Sequence, residues 1–131
     1  MSPVDVLLAG DDQRFLERAF HALQGDRRHA VVSCVEADEA SAADIALLEP
    51  EVVVIDLLTP TQTAIRLVQR IADMRFPPRV LFLVPTNAQA LRAAGLLLGV
   101  DGIHTREQFL ASPSTALGEL TANRALRVVR V

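Results

Sequence analysis

Three carboxylates have the types and spacing to act together. Asp11 and Asp12 directly follow the apolar run Val4 to Gly10 (VDVLLAG), and Asp56 ends a second run, Glu51 to Ile55 (EVVVI). Four consecutive β-branched residues, Val52 to Ile55, read as a strand buried on both faces in the middle of a parallel sheet. Burying a carboxylate is expensive, so Asp56 belongs where that strand emerges from the sheet. In open α/β sheets this carboxyl edge is where ligands bind. Taken singly, Asp56 reads as the start of a turn and Asp11 or Asp12 as a helix cap. Two strands that deliver acids to one edge read as a site. Ala9-Gly10-Asp11-Asp12 is no glycine-rich phosphate loop, and its acidic pair repels phosphate unless a cation intervenes.

The elements that must hold these acids follow from periodicity. Strands are expected at Asp5 to Ala9, His29 to Glu36, the run ending at Asp56, Arg79 to Val84, and Gly102 to Thr105. Asp12 caps a first helix with Phe15, Leu16, Ala19, Phe20 and Leu23 on its inner side, and Gly25 ends it. Asp38 opens a short helix that runs through Leu48 to a stop at Pro50. Thr61 to Met74 is a third helix with Ile65, Val68, Ile71 and Ala72 facing in, broken by Pro77 and Pro78. Asn87 to Leu98 is a fourth, ended by Gly99. Ser112 caps a last helix with Pro113 at its first position and Leu117 and Leu120 facing in. Strands alternating with helices imply a parallel sheet with right-handed crossovers and helices on both faces.

The 131 residues make one domain, expected over residues 1–123, with 124–131 as a tail that reads as frayed helix, linker or added strand. Half the residues are hydrophobic and 4% aromatic, so the core is aliphatic. No stretch approaches the roughly 20 apolar residues of a membrane span, and a cytoplasmic protein is expected. A net charge of −3 gives no footprint for nucleic acid, so direct contact with it is not expected. The single cysteine, Cys34, lies in an apolar run and is expected to be a buried, inert thiol. His21, His29 and His104 do not gather at one edge, and Ser33 and Cys34 have no base nearby in sequence.

The acid pair after strand one, Asp56 after strand three with Pro60 four residues on, and the Gly99-Val100-Asp101-Gly102 step into strand five resemble the receiver domain of bacterial response regulators. The resemblance covers about residues 4–123 and implies a flavodoxin-like, three-layer α/β/α fold with strand order 2-1-3-4-5. It implies that a sensor histidine kinase passes a phosphoryl group to Asp56. Asp11, Asp12, Asp56 and the backbone carbonyl of Leu58 match the positions that hold a divalent cation. Three neighbouring carboxylates repel one another by about 4 kcal/mol per pair at roughly 4 Å and an effective dielectric of about 20. Mg2+, a hard cation that takes oxygen ligands, relieves this repulsion and neutralises charge on the transferred group.

This chain departs from the resembled pattern at the switch positions. Val84 stands where a Thr or Ser hydroxyl contacts the phosphoryl group, with Thr86 two residues on behind Pro85. Arg106 stands where a Lys pairs with the phosphoryl group and the acceptor Asp, and reads equally as a solvated surface charge; Glu107 and Ile103 replace a Pro and an aromatic. A hydrogen bond to a charged group contributes about 1.5–3 kcal/mol, so a missing hydroxyl lowers the activated population roughly 10- to 150-fold. The spelling Arg79 to Asn87 (RVLFLVPTN) looks most like regulators with a helix-turn-helix output.

The fourth helix, Ala88 to Val100 (AQALRAAGLLLGV), carries Arg92 as its only charge. Leu97 with Ala90, Ala93 and Ala94 is therefore expected either to form a homodimer or effector face or to be covered by the tail Val128 to Val131. Three functions stay in view: a phosphorylated receiver, a pseudo-receiver that binds partners without phosphorylation, and a small Mg2+-dependent phosphatase or transferase. The last is disfavoured, because no second acid follows Asp11 or Asp56 at the two-residue spacing of aspartyl enzymes. The chain is thus expected not to be an enzyme.

Overall fold

A computed structural model describes residues 3–58 and 61–120, so the expectations for Pro60 and for the tail lie outside the described residues. The strands are β1 (Val4–Gly10), β2 (His29–Val35), β3 (Val52–Asp56), β4 (Arg79–Val84) and β5 (Gly102–Thr105). All pair in parallel, in the order β2-β1-β3-β4-β5. The helices between them are α1 (Gln13–Gln24), α2 (Ala42–Leu48, entered through a 3-10 turn at Glu39–Ser41), α3 (Gln62–Ala72), α4 (Gln89–Leu98) and α5 (Arg106–Ala111). Residues 113–120 are helical again.

Alternation along the strands builds two cores. Leu7, Ala9, Val53, Ile55 and Phe82 face Ile45 of α2, Leu67 of α3 and Leu91 of α4. Val6, Leu8, Val52, Val54, Leu81 and Leu83 face Phe15 and Leu16 of α1, Phe109 of α5, and Leu117 and Leu120. This is the expected three-layer flavodoxin-like α/β/α arrangement. Every residue of β3 and of β4 is buried, as strands covered on both faces must be.

Several local expectations need correction. The inner stripe of α3 is Ala64, Leu67, Val68 and Ile71; Ala72 is exposed and Ile65 only half-buried, because the helix meets the sheet about one residue out of the expected phase. Cys34 is exposed rather than buried, because β2 is an edge strand covered less fully than the centre. Burial along that edge still pushes its thiol pKa up. A helix also begins directly after β5, ahead of the expected one. Thr105 caps α5 in a reciprocal capping box: its hydroxyl accepts from the Gln108 N–H, and the Gln108 side chain accepts from the Thr105 N–H.

Candidate functional site

Strand register decides which side chains share the carboxyl edge. Gly10 is paired with Asp56, Asp56 with Leu83, Leu83 with His104, and Val84 with Thr105. The last residues of four adjacent strands therefore stand nearly level. Gly10 brings the two strand ends close, since a Cβ on it would lie 3.1 Å from the Asp56 Cβ. Asp56, the final residue of β3, is 4% exposed. Asp11 and Asp12 occupy the turn from β1 into α1, where Asp12 Oδ1 accepts from the Phe15 N–H at 3.3 Å and caps the helix. Asp11, Asp12, Asp56, Leu57, Leu58 and Thr61 line one cavity of about 170 Å³. All four positions matched to a cation site thus border the same space.

Arg106, the first residue of α5, reaches into this edge. Its Nε donates to Asp56 Oδ1 at 2.8 Å and its Nη2 to Asp56 Oδ2 at 2.5 Å, a fork-to-fork pair. Its Nη1 donates to Asp12 Oδ2 at 3.1 Å. The guanidinium also lies over the Phe15 ring, 4.4 Å from the centroid. Of the two readings of Arg106, the solvated surface charge is therefore replaced by a residue of the acid cluster. Phe15 escaped sequence reasoning because it reads as an ordinary core position of α1. Arg106 was legible from its position directly after the fifth strand.

Burial pushes the Asp56 carboxyl pKa up; the Arg106 guanidinium acts against this, and the charges of Asp12 and Asp11 add to it. Asp12 is held below the usual carboxylate range, first by the Phe15 N–H and also by Arg106. The hydrogen bonds to Asp56 raise the pKa of Arg106, so it is charged throughout the working range.

Carboxylate oxygens and a neighbouring backbone carbonyl are the kind of donor set Mg2+ takes, so the residues suit the ion in chemistry. In the described arrangement both Asp56 oxygens and one Asp12 oxygen bond to Arg106. Among the described residues no group of three or more His, Cys, Asp or Glu side chains is placed to hold a metal ion. The remaining switch positions bring no polar group. Val84 is fully buried and apolar at the end of β4, Thr86 is exposed, and Ile103 packs against the core beside Gly95. The histidines stay apart: His29 is beside Asp26, His104 is 3.8 Å from Glu119, and His21 meets the Phe20 ring edge-on.

Of the expected patch on α4, Leu97 is 89% exposed, and Ala90 and Ala93 are exposed. Ala94 is only half-buried, while Leu96, not expected in the patch, is 76% exposed and enlarges it.

An all-parallel sheet in this order, with acids at its carboxyl edge, is the architecture of response-regulator receiver domains, and the chain has the receiver-domain fold. It is similar to a LuxR-family two-component response regulator from Aurantimonas sp. SI85-9A1, with a TM-score of 0.79 and 21% identity over 93% of this chain and 87% of that one. It is also similar to the non-phosphorylated receiver domain of the stress response regulator RcsB from Escherichia coli (TM-score 0.76, 21% identity, 92% and 95% covered). A longer RcsB structure from Salmonella typhimurium matches at a TM-score of 0.76 and 21% identity over 94% of this chain, which spans 62% of its length. At these identities the likeness is one of fold. No family model matches the sequence, and no curated protein matches it. No helix among the described residues is long and apolar enough to cross a membrane.

Proposed function

We propose that this chain is the receiver domain of a two-component response regulator and that Asp56 accepts a phosphoryl group from a sensor histidine kinase. The observation that carries this reading is a buried carboxylate at the end of the central strand, bordering one cavity with Asp11, Asp12 and Leu58 and paired with a cation from after β5. Asp11, Asp12, Asp56 and the Leu58 carbonyl would hold Mg2+, which when bound neutralises charge on the transferred group. An Asp56 oxygen attacks phosphorus, and the bond from phosphorus to the kinase imidazole breaks. The bonding pair leaves with that imidazole, which takes up a proton, and an acyl phosphate remains on Asp56. Arg106 is suited to pair bidentately with the new phosphoryl oxygens. The group adds about −1.5 to −2 charge, if it ionises as other phosphorylated side chains do, and reorganises the contacts around it.

The output surface in this reading is α4, where Leu96, Leu97, Ala90 and Ala93 would meet a second copy of the chain or an effector domain. The domain itself makes no contact with nucleic acid, is cytoplasmic, and is the recipient of a transfer rather than a catalyst that turns over. Incubation with Mg2+ and a small phosphodonor tests the reading, since one phosphoryl group must appear and must be lost in Asp56→Asn.

A second reading is favoured by Arg106 itself. Its fork engages both oxygens of the nucleophile, and Val84 offers no hydroxyl to a phosphoryl group. A pseudo-receiver that binds its partner without phosphorylation has this composition. A wild-type protein that stays unmodified yet still binds its partner supports that reading.

A further inference from the structure

We infer that Arg106 is a resident counter-cation that competes with the divalent ion for the same oxygens, so that metal enters only as the guanidinium leaves. This rests on the phosphoacceptor reading of the site and adds a condition to it. The guanidinium holds three carboxylate oxygens at once, two on Asp56 and one on Asp12. Those residues supply two of the three acids the cation would need. The guanidinium packs over the Phe15 ring, and the backbone from which it extends is fixed by the capping box at the start of α5. Its own charge further disfavours a cation nearby. Receivers of the resembled pattern carry Lys at this position, and an ammonium is a single point of charge that cannot fork across two oxygens and reach a third. The arginine therefore makes cation binding weaker here than the three acids alone would dictate.

The test is a titration with Mg2+ alone, read by calorimetry and by thermal unfolding, on wild type, Arg106→Gln and Arg106→Lys. Arg106→Gln is expected to bind Mg2+ at least tenfold more tightly than wild type and to gain more thermal stability from saturating Mg2+. Arg106→Lys keeps the charge but loses the fork, and is expected to fall between the two. In wild type the Nε–H resonance of Arg106 should shift as Mg2+ saturates. Equal affinities in wild type and both variants, or an unmoved Nε–H resonance at saturation, overturn the competition. Phosphodonor labelling in parallel separates the two ideas. Labelled wild type with equal affinities removes the competition alone; absence of both Mg2+ binding and labelling in every protein removes the phosphoacceptor reading with it.

Discussion

Arg106 and Asp56, 50 residues apart in sequence, meet fork to fork at the carboxyl edge of the sheet, Nε to Oδ1 at 2.8 Å and Nη2 to Oδ2 at 2.5 Å. The pair joins the start of α5 to the end of the central strand, and Asp12 ties α1 to the same guanidinium. Three elements therefore meet at one side chain.

Removing the cation strands a buried anion. Arg106→Ala is expected to destabilise the fold by about 3–5 kcal/mol, because Asp56 keeps its burial and loses its partner. Replacing both residues, as Arg106→Met with Asp56→Leu, is expected to cost much less, since no unpaired charge then remains. Urea denaturation of the two single variants and the double variant measures the difference.

The acids of this fold have opposite signs in their pH dependence. Asp56 has its pKa raised, so its contribution to stability is fully present below the unfolded-state value and is lost as pH rises through the folded value. Asp26 is held far below the usual range, by the Arg28 side chain first and by Ser114. Its contribution is present above the unfolded value and lost as pH falls through the folded one. Denaturation midpoints across the acid range should therefore show Asp56→Asn and Asp26→Asn diverging from wild type in opposite directions.

Val84 offers a test of the switch in the proposed reading. Val84→Thr adds a hydroxyl at the end of β4 at nearly constant shape. It is expected to destabilise the unphosphorylated protein by about 1–3 kcal/mol through an unpartnered buried group. In the phosphorylated protein it is expected to raise the activated population roughly 10- to 150-fold by supplying the missing bond. Partner or self-association affinity with and without phosphodonor reads both effects.

The α4 face makes a prediction independent of the acids. Leu97→Glu replaces a side chain that is 89% exposed, so stability should change by less than about 0.5 kcal/mol. Sedimentation should show weaker self-association or effector binding than wild type. Identical monomers in both proteins, with effector binding unaltered, would remove this face from the account.

What was legible in the sequence was what burial on both sides writes into it. β3 and β4 are apolar runs but for one terminal charge each because helices cover each face, and Asp56 stands out as the charge at the carboxyl end of such a run. Edges write less. Cys34 looked buried because an edge strand can be as apolar as a central one while solvent reaches one side. The phase of α3 was misread because Ile65 and Ala72 are apolar whether or not they touch the sheet. The site was legible as a set of acids with Arg106 at the position that pairs with the acceptor Asp, but not as a fork to both Asp56 oxygens with a third bond to Asp12. Arg106 is one charge in a polar stretch, and its bonds to Asp56 and Asp12 join segments far apart in sequence.

Intact-mass analysis after incubation with Mg2+ and a small phosphodonor tests the central claim most directly. The account predicts one added phosphoryl group on the wild-type chain, located to Asp56 by peptide mapping and lost in Asp56→Asn. An unmodified wild-type chain, or a modification that persists in Asp56→Asn, would contradict it.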